Sequence, residues 1–195
     1  VNDSTKVHRQ MSSYSITPSL SFESEHLTHN ISLSGNLTEN KDLNKFATGE
    51  SDVKTTALGL TYNIGVKPID TDFTLTYSHQ QSDGFNSKYI SDIATFGTNR
   101  SFLKEKNFNI SASVSLCYNE VERQSKSLSL GADISASFNL KKVHLFSAGA
   151  SFSKYGDVNI TNTRSGLVGT DISVNFNYTY TFTLFAIRNK SKKDK

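Results

Sequence analysis

Every second residue from Phe108 to Tyr118 is apolar or aromatic, and the residues between them are Asn109, Ser111, Ser113, Ser115 and Cys117. A period of two places the two sets on opposite sides of an extended strand, whereas a helix would scatter them around its circumference. The alternation returns in Leu128, Leu130, Ala132, Ile134, Ala136 and Phe138, and again in Ile172, Val174, Phe176, Tyr178, Tyr180 and Phe182. The intervening residues are almost all Ser, Thr, Asn or Gly, which are too small and too polar to fill a dry interior. One apolar surface per strand, with nothing behind it to pack, is a narrow constraint on the fold.

Extended to the whole chain, the pattern predicts nine strands, over 13–22, 27–38, 53–64, 72–80, 89–102, 107–118, 125–139, 143–155 and 167–184. Most reach the 9–11 residues with which a tilted strand crosses a bilayer, where soluble strands average five or six. Short connections follow Phe22, Ile64, Phe102 and Asn139; longer ones are expected at 40–51, 80–88, 119–124 and 156–166. Short periplasmic turns and longer outer loops have this rhythm. The expected organisation is a polar loop or linker at 1–12, a membrane barrel portion at 13–185 and a basic periplasmic tail at 186–195. Nine is odd, whereas single-chain bacterial barrels have even strand numbers, so further strands from the same precursor or another chain are expected to complete the wall.

Composition agrees with a wall that is apolar on one side only. Apolar residues make up 35% of the chain, below the roughly half usual for globular proteins. Tyr and Phe supply 11%, too many for a disordered segment. No apolar run reaches the length of a membrane helix, and Val1 to Thr5 do not begin a secretion signal. The net charge of +3 is concentrated in Lys190, Lys192, Lys193 and Lys195 rather than in a stripe on a folded face, which argues against nucleic-acid binding.

Candidate chemistry is sparse. Cys117 is the only cysteine, so neither a disulfide within the chain nor a multi-cysteine metal site is available. His26 and His29 lie near Glu23 and Glu25, a set that reads as a hydrated turn rather than a metal site. No Gly-x-Ser-x-Gly elbow accompanies the many serines. No catalytic residue, metal or cofactor is expected, and the chain reads as a non-enzyme. Asp133, Asp171, Lys154 and Asn177 are the candidates for lining a lumen. Tyr62, Tyr77, Phe102, Phe108, Tyr118, Phe138, Phe152, Tyr178 and Phe182 are candidates for rings at the lipid interface, where an apolar body and a polar tip are both accommodated. Arg100 has the apolar parity and joins them by snorkelling beside Phe102. His79 shares that parity at the other end of its strand.

Three stretches resemble the membrane barrels of Bacteroidota outer-membrane proteins: Phe96 to Phe108, Leu128 to Val143, and Thr170 to Phe182. The resemblance covers most of the chain after Tyr14 and rests on hairpin patterns. It implies an all-β, antiparallel transmembrane barrel in the bacterial outer membrane, in contact with outer-membrane lipid, and no particular activity. Barrels of that kind often end on an aromatic residue, whereas this chain runs past Phe182 through Phe185 into the lysine tail. The function expected is a conduit or the membrane anchor of an envelope complex. The alternatives are an interaction module whose outer loops bind a partner without transport, and a soluble secreted β-sandwich or adhesin.

Overall fold

The computed structural model describes residues 9–43, 52–84, 87–103, 105, 107–122, 124–141, 143–157 and 168–181. They form ten strands: β1 (Arg9–Ile16), β2 (Ser19–Glu23), β3 (Leu27–Asp42), β4 (Val53–Val66), β5 (Thr71–Gly84), β6 (Ser87–Phe102), β7 (Phe108–Val121), β8 (Ser125–Leu140), β9 (His144–Asp157) and β10 (Val168–Tyr180). All belong to one antiparallel sheet in which each strand pairs with its neighbours in sequence, β1 and β2 both pairing with β3. β1 and β2 are one pass across the sheet interrupted at Thr17 and Pro18, so the ten strands make nine passes, as the alternation predicts. The proline ring removes one donor, but Leu33 N–H still donates to Pro18 O at 2.9 Å and the pass continues.

Among the described residues no hydrophobic side chain is buried, and the only buried residues are Thr71 and Ser91. No second sheet packs on the first, so the sheet-on-sheet core that a soluble sandwich needs is missing from the described residues.

One end of the sheet carries the short turns. A 3-10 turn at Lys67–Ile69, with Pro68 inside it, joins β4 to β5. Asp70, Leu103 and Lys141 take left-handed backbone conformations that tighten three of these turns. Backbone bonds tie each hairpin to the next: Lys67 N to His26 O at 3.0 Å, Ser101 N to Asp70 O at 3.0 Å, Asn139 N to Asn107 O at 2.8 Å. Lys67 Nζ also donates to Ser24 O at 2.9 Å and pairs with the Glu23 carboxylate.

At the other end the strands are longer than the sequence pattern suggests. β5 runs to Gly84 and β6 starts at Ser87, so most of the long connection expected at 80–88 is strand, with two residues left between β5 and β6. Likewise β7 reaches Val121 and β8 starts at Ser125. β1 begins at Arg9, inside the segment expected to be a loop. Beyond the apolar stretch both faces are polar, the period of two disappears, and alternation no longer signals a strand that hydrogen bonding still sustains. The expected tail at 186–195 lies outside the described residues.

Gly169 shows how tightly the polar surface is fitted. It pairs in register with Tyr155, and a Cβ on Gly169 would occupy the space of the Tyr155 ring. Gly97, in contrast, has only ordinary contacts at 3.8 Å. Gly169→Ala is expected to cost up to about 1 kcal/mol, the general range for a cross-strand pair. Gly97→Ala is expected to be neutral or to stabilise by about 0.4–1 kcal/mol through the unfolded chain. Thermal unfolding of the two variants checks this, and equal shifts would refute the ring–glycine contact.

Candidate functional site: the two faces of the sheet

The registers assign every paired residue to a face. On one face Ile31, Tyr62, Leu75, Phe96, Val114, Ala132, Phe152 and Ile172 form a single apolar row across eight strands. Along the strands the apolar positions run from Phe108 to Tyr118 in β7 and from Leu128 to Phe138 in β8, eleven residues each.

At the short-turn end this face is edged by rings. Phe22 stacks on His29 with centroids 4.4 Å apart, and His29 Nδ1 lies 2.9 Å from the Tyr62 hydroxyl. Phe73 lies 6.3 Å from Phe96. Phe102, Phe108 and Phe138 continue the series at 5.7 and 6.4 Å, with the Arg100 guanidinium 4.7 Å from the Phe102 centroid. Phe146 packs on Tyr178 at 5.0 Å, and His144 stacks on Tyr180 at 4.9 Å while its Nδ1 lies 2.8 Å from the Tyr178 hydroxyl. Aromatic pairs in contact across strands add to ordinary sheet packing.

The opposite end of the same face is edged by charge. Glu39 and Lys41 in β3, Lys54 in β4, Asp83 in β5, Lys88 in β6, Glu120 in β7, Lys126 in β8 and Lys154 in β9 all have the apolar parity. Lys54 and Lys41 approach Glu39 at 3.8 and 3.3 Å, and Lys126 approaches Glu120 at 3.0 Å. Just inside this rim, Asp92 Oδ1 accepts a hydrogen bond from the Tyr77 hydroxyl at 2.7 Å and lies 2.8 Å from His79 Nδ1. Asp92 thus supplies the partner that His79 needs at an apolar-parity position.

The polar face is built differently. Rows such as Asn109, Ser137, Ser147 and Asn177 contain no large apolar group. Its hydroxyls pair across strands: Ser111 with Ser135 and Ser151 with Ser173, each at 2.7 Å. Thr74 donates to Asn63 at 2.7 Å and Ser101 to Asn109 at 2.7 Å. Its strand charges are Glu23, Asp42, Asp72, Asp133, Asp157 and Asp171, and among the described strand residues of this face Arg9 is the only cation. The two faces therefore sort charge as well as polarity. The apolar side carries both signs, paired at its rim, while the polar side carries carboxylates almost alone.

The sequence candidates fall as follows. Asp133, Asp171 and Asn177 share the polar face. Asp133 and Asp171 stand in adjoining rows, whereas Asn177 is six residues further along β10, about 20 Å away at the usual rise per residue. Lys154 does not join them. It pairs with Leu130 and Thr170 on the apolar face and belongs to the charged rim, because its parity is that of Phe152 and Phe146. Of the ring candidates, Phe102, Phe108, Phe138 and Tyr178 stand with Arg100 at the short-turn end. Tyr62 and Phe152 sit in the apolar row, Tyr77 and Tyr118 near the charged rim, and Phe182 outside the described residues. His29, His144, Phe73 and Phe146 belong to the ring series without being among its sequence candidates. Parity within each strand is the signal that assigns them. Among the described residues no group of three or more His, Cys, Asp or Glu side chains could hold a metal ion.

No family model matches the sequence, and no curated protein matches it. Among solved structures the fold is similar to that of OmpT, an outer membrane protein of Vibrio cholerae folded in vitro, in its trimer form. The TM-score is 0.56 at 10% identity, over 87% of this chain and 56% of that one. That likeness does not single out the Bacteroidota. This chain thus has an antiparallel, multi-stranded sheet resembling an outer-membrane barrel-type fold, and it spans little more than half the length of the barrel protein it matches.

Proposed function

We propose that the chain is part of the wall of an outer-membrane β-barrel, with its apolar face against lipid and its polar face lining an aqueous conduit. The observation that carries this reading is the sheet's lack of any buried hydrophobic residue among those described, combined with a continuous apolar surface on one side only. In water such a surface would stay unpaired. In a bilayer, lipid covers it, and the strands satisfy their own backbone groups. The ring series marks the headgroup level at the turn end, and the charged rim marks it at the other end. In β7 and β8 eleven residues lie between the ring (Phe108, Phe138) and the charge (Glu120, Lys126), which matches a tilted strand's crossing. The outer-membrane assignment draws on the likeness to OmpT, and the Bacteroidota assignment on the three hairpin stretches alone. No enzymatic role is proposed.

Conduction rather than anchoring is favoured by the polar face, whose small hydroxyls and amides leave room for water beside its carboxylates. The test takes the protein isolated from its membrane and reconstitutes it in phosphatidylcholine vesicles. It should resist carbonate extraction and release an entrapped small sugar. Extraction into the aqueous fraction would overturn the membrane reading. Retention without release would replace the conduit by an anchor or an interaction module.

A further inference from the structure

The two outer edges of the sheet are its least finished feature. Thr181 N–H donates to Val143 O at 2.8 Å, which fixes the hydrogen-bonding phase of β10 against β9. In an antiparallel ladder this phase alternates by residue. Odd-numbered residues of β10 therefore bond to β9, and the N–H groups of Thr170, Ile172, Val174, Phe176 and Tyr178 point away from it. The bond from Leu33 N to Pro18 O fixes the other edge in the same way. Even-numbered residues of β1 and β2 face β3, and the N–H groups of Ser13, Ser15, Ser19 and Ser21 face outward. The donor that Pro18 lacks would have pointed toward β3, so the proline does not blunt the outer edge.

Free edges in soluble proteins are short, bulged, or guarded by lysine and proline. β10 is none of these: it has 13 residues and neither lysine nor proline. Its Phe176 and Ile172, 79% and 74% exposed, are the most open large apolar side chains among the described residues. These edges have the features of seams.

Strand direction limits what can fill them. β1 and β2 run toward the short-turn end, and so does β10, because nine passes lie between and including them. A second copy of the chain would place β10 beside β1 of its neighbour in parallel. Antiparallel pairing at both seams requires an odd number of additional strands. The segment after Thr181 is poorly suited to be one of them, since its apolar residues end at Ile187, short of the roughly 9–11 residues of a crossing strand, and Lys190, Lys192, Lys193 and Lys195 follow.

Resting on the barrel reading above, we propose that both edges are seams filled antiparallel by an odd number of further membrane strands lying outside these 195 residues and carrying the same alternation of apolar and small polar side chains. The test is amide hydrogen exchange on the protein as purified from its native membrane in mild detergent, with its intact mass. The outward amides of β10 and of β1 and β2 should exchange on the order of a hundredfold or more slower than free peptide, alongside their inward neighbours. Fast outward amides beside protected inward ones would overturn the seams, even in a protein that resists carbonate extraction. Protected edges in an assembly made only of this 195-residue polypeptide would overturn the outside strands and assign closure to its tail or to a second copy.

Discussion

Val114→Arg is expected to destabilise the protein in a bilayer by about 2–4 kcal/mol, the general cost of arginine near the midplane of a barrel's lipid face. Val114 lies near the middle of the apolar run of β7, between Phe96 and Ala132 in register, and is 49% exposed. The adjacent residue is the control. Ser113 is flanked by Gly97, which leaves room, and by Asp133, which offers a carboxylate. Ser113→Arg should change stability by no more than about 0.5 kcal/mol, as an ordinary surface substitution does. Urea titrations in vesicles, followed by circular dichroism because the chain has no tryptophan, separate the two. Equal costs at both positions would mean that the two faces meet the same solvent, and the membrane reading would fail.

The second expected result concerns ions. A lumen walled by Asp72, Asp133 and Asp171 should favour cations, and reversing Asp133 and Asp171 together to lysine should weaken or invert that preference. The two carboxylates stand two strands and one residue pair apart, about 12 Å by standard sheet spacings. At about 0.01 M salt the Debye length is about 30 Å, so their fields overlap; at about 1 M it is about 3 Å and they act separately. Reversal potentials across a potassium chloride gradient should therefore show the preference at low salt and lose it at high salt. An anion preference, or one untouched by the double reversal, would remove these side chains from the conduction path.

Much of this arrangement is legible in the sequence, because the period of two is imposed by the same backbone geometry that sets the two faces. Nine passes, and the polar positions of Asp133, Asp171 and Asn177, follow from counting in twos. Legibility fails where polarity and parity disagree. Lys154 groups with the carboxylates by charge, although its parity is that of Phe152; the rim of charge beside it explains why a lysine is tolerated there. His29 reads as part of a hydrated turn and His144 as an isolated histidine along the chain, although both stand in the ring series. The outer reaches of β5 and β6 are unreadable for a different reason: beyond the apolar band neither face is selected for hydrophobicity, and only the hydrogen-bond ladder tells strand from loop. Which strands adjoin the sheet's edges is absent from the sequence altogether, since pairing is a property of two segments.

Pairing only between neighbours in sequence has a consequence for how such a wall assembles. Each strand meets its partner across a connection of a few residues or a modest loop, so every added hairpin bears a small chain-closure cost. Growth can proceed strand by strand from any nucleus, without waiting for distant segments to meet, and local contacts of this kind favour rapid folding. The turn-to-turn backbone bonds register each new hairpin on the last. The seams are the exception, because β10 and β1 are the strands furthest apart in order. Under the proposal above, the strands that fill the seams meet β10 and β1 without so short a tether on at least one side, and that step, rather than hairpin addition, is expected to be the slow one.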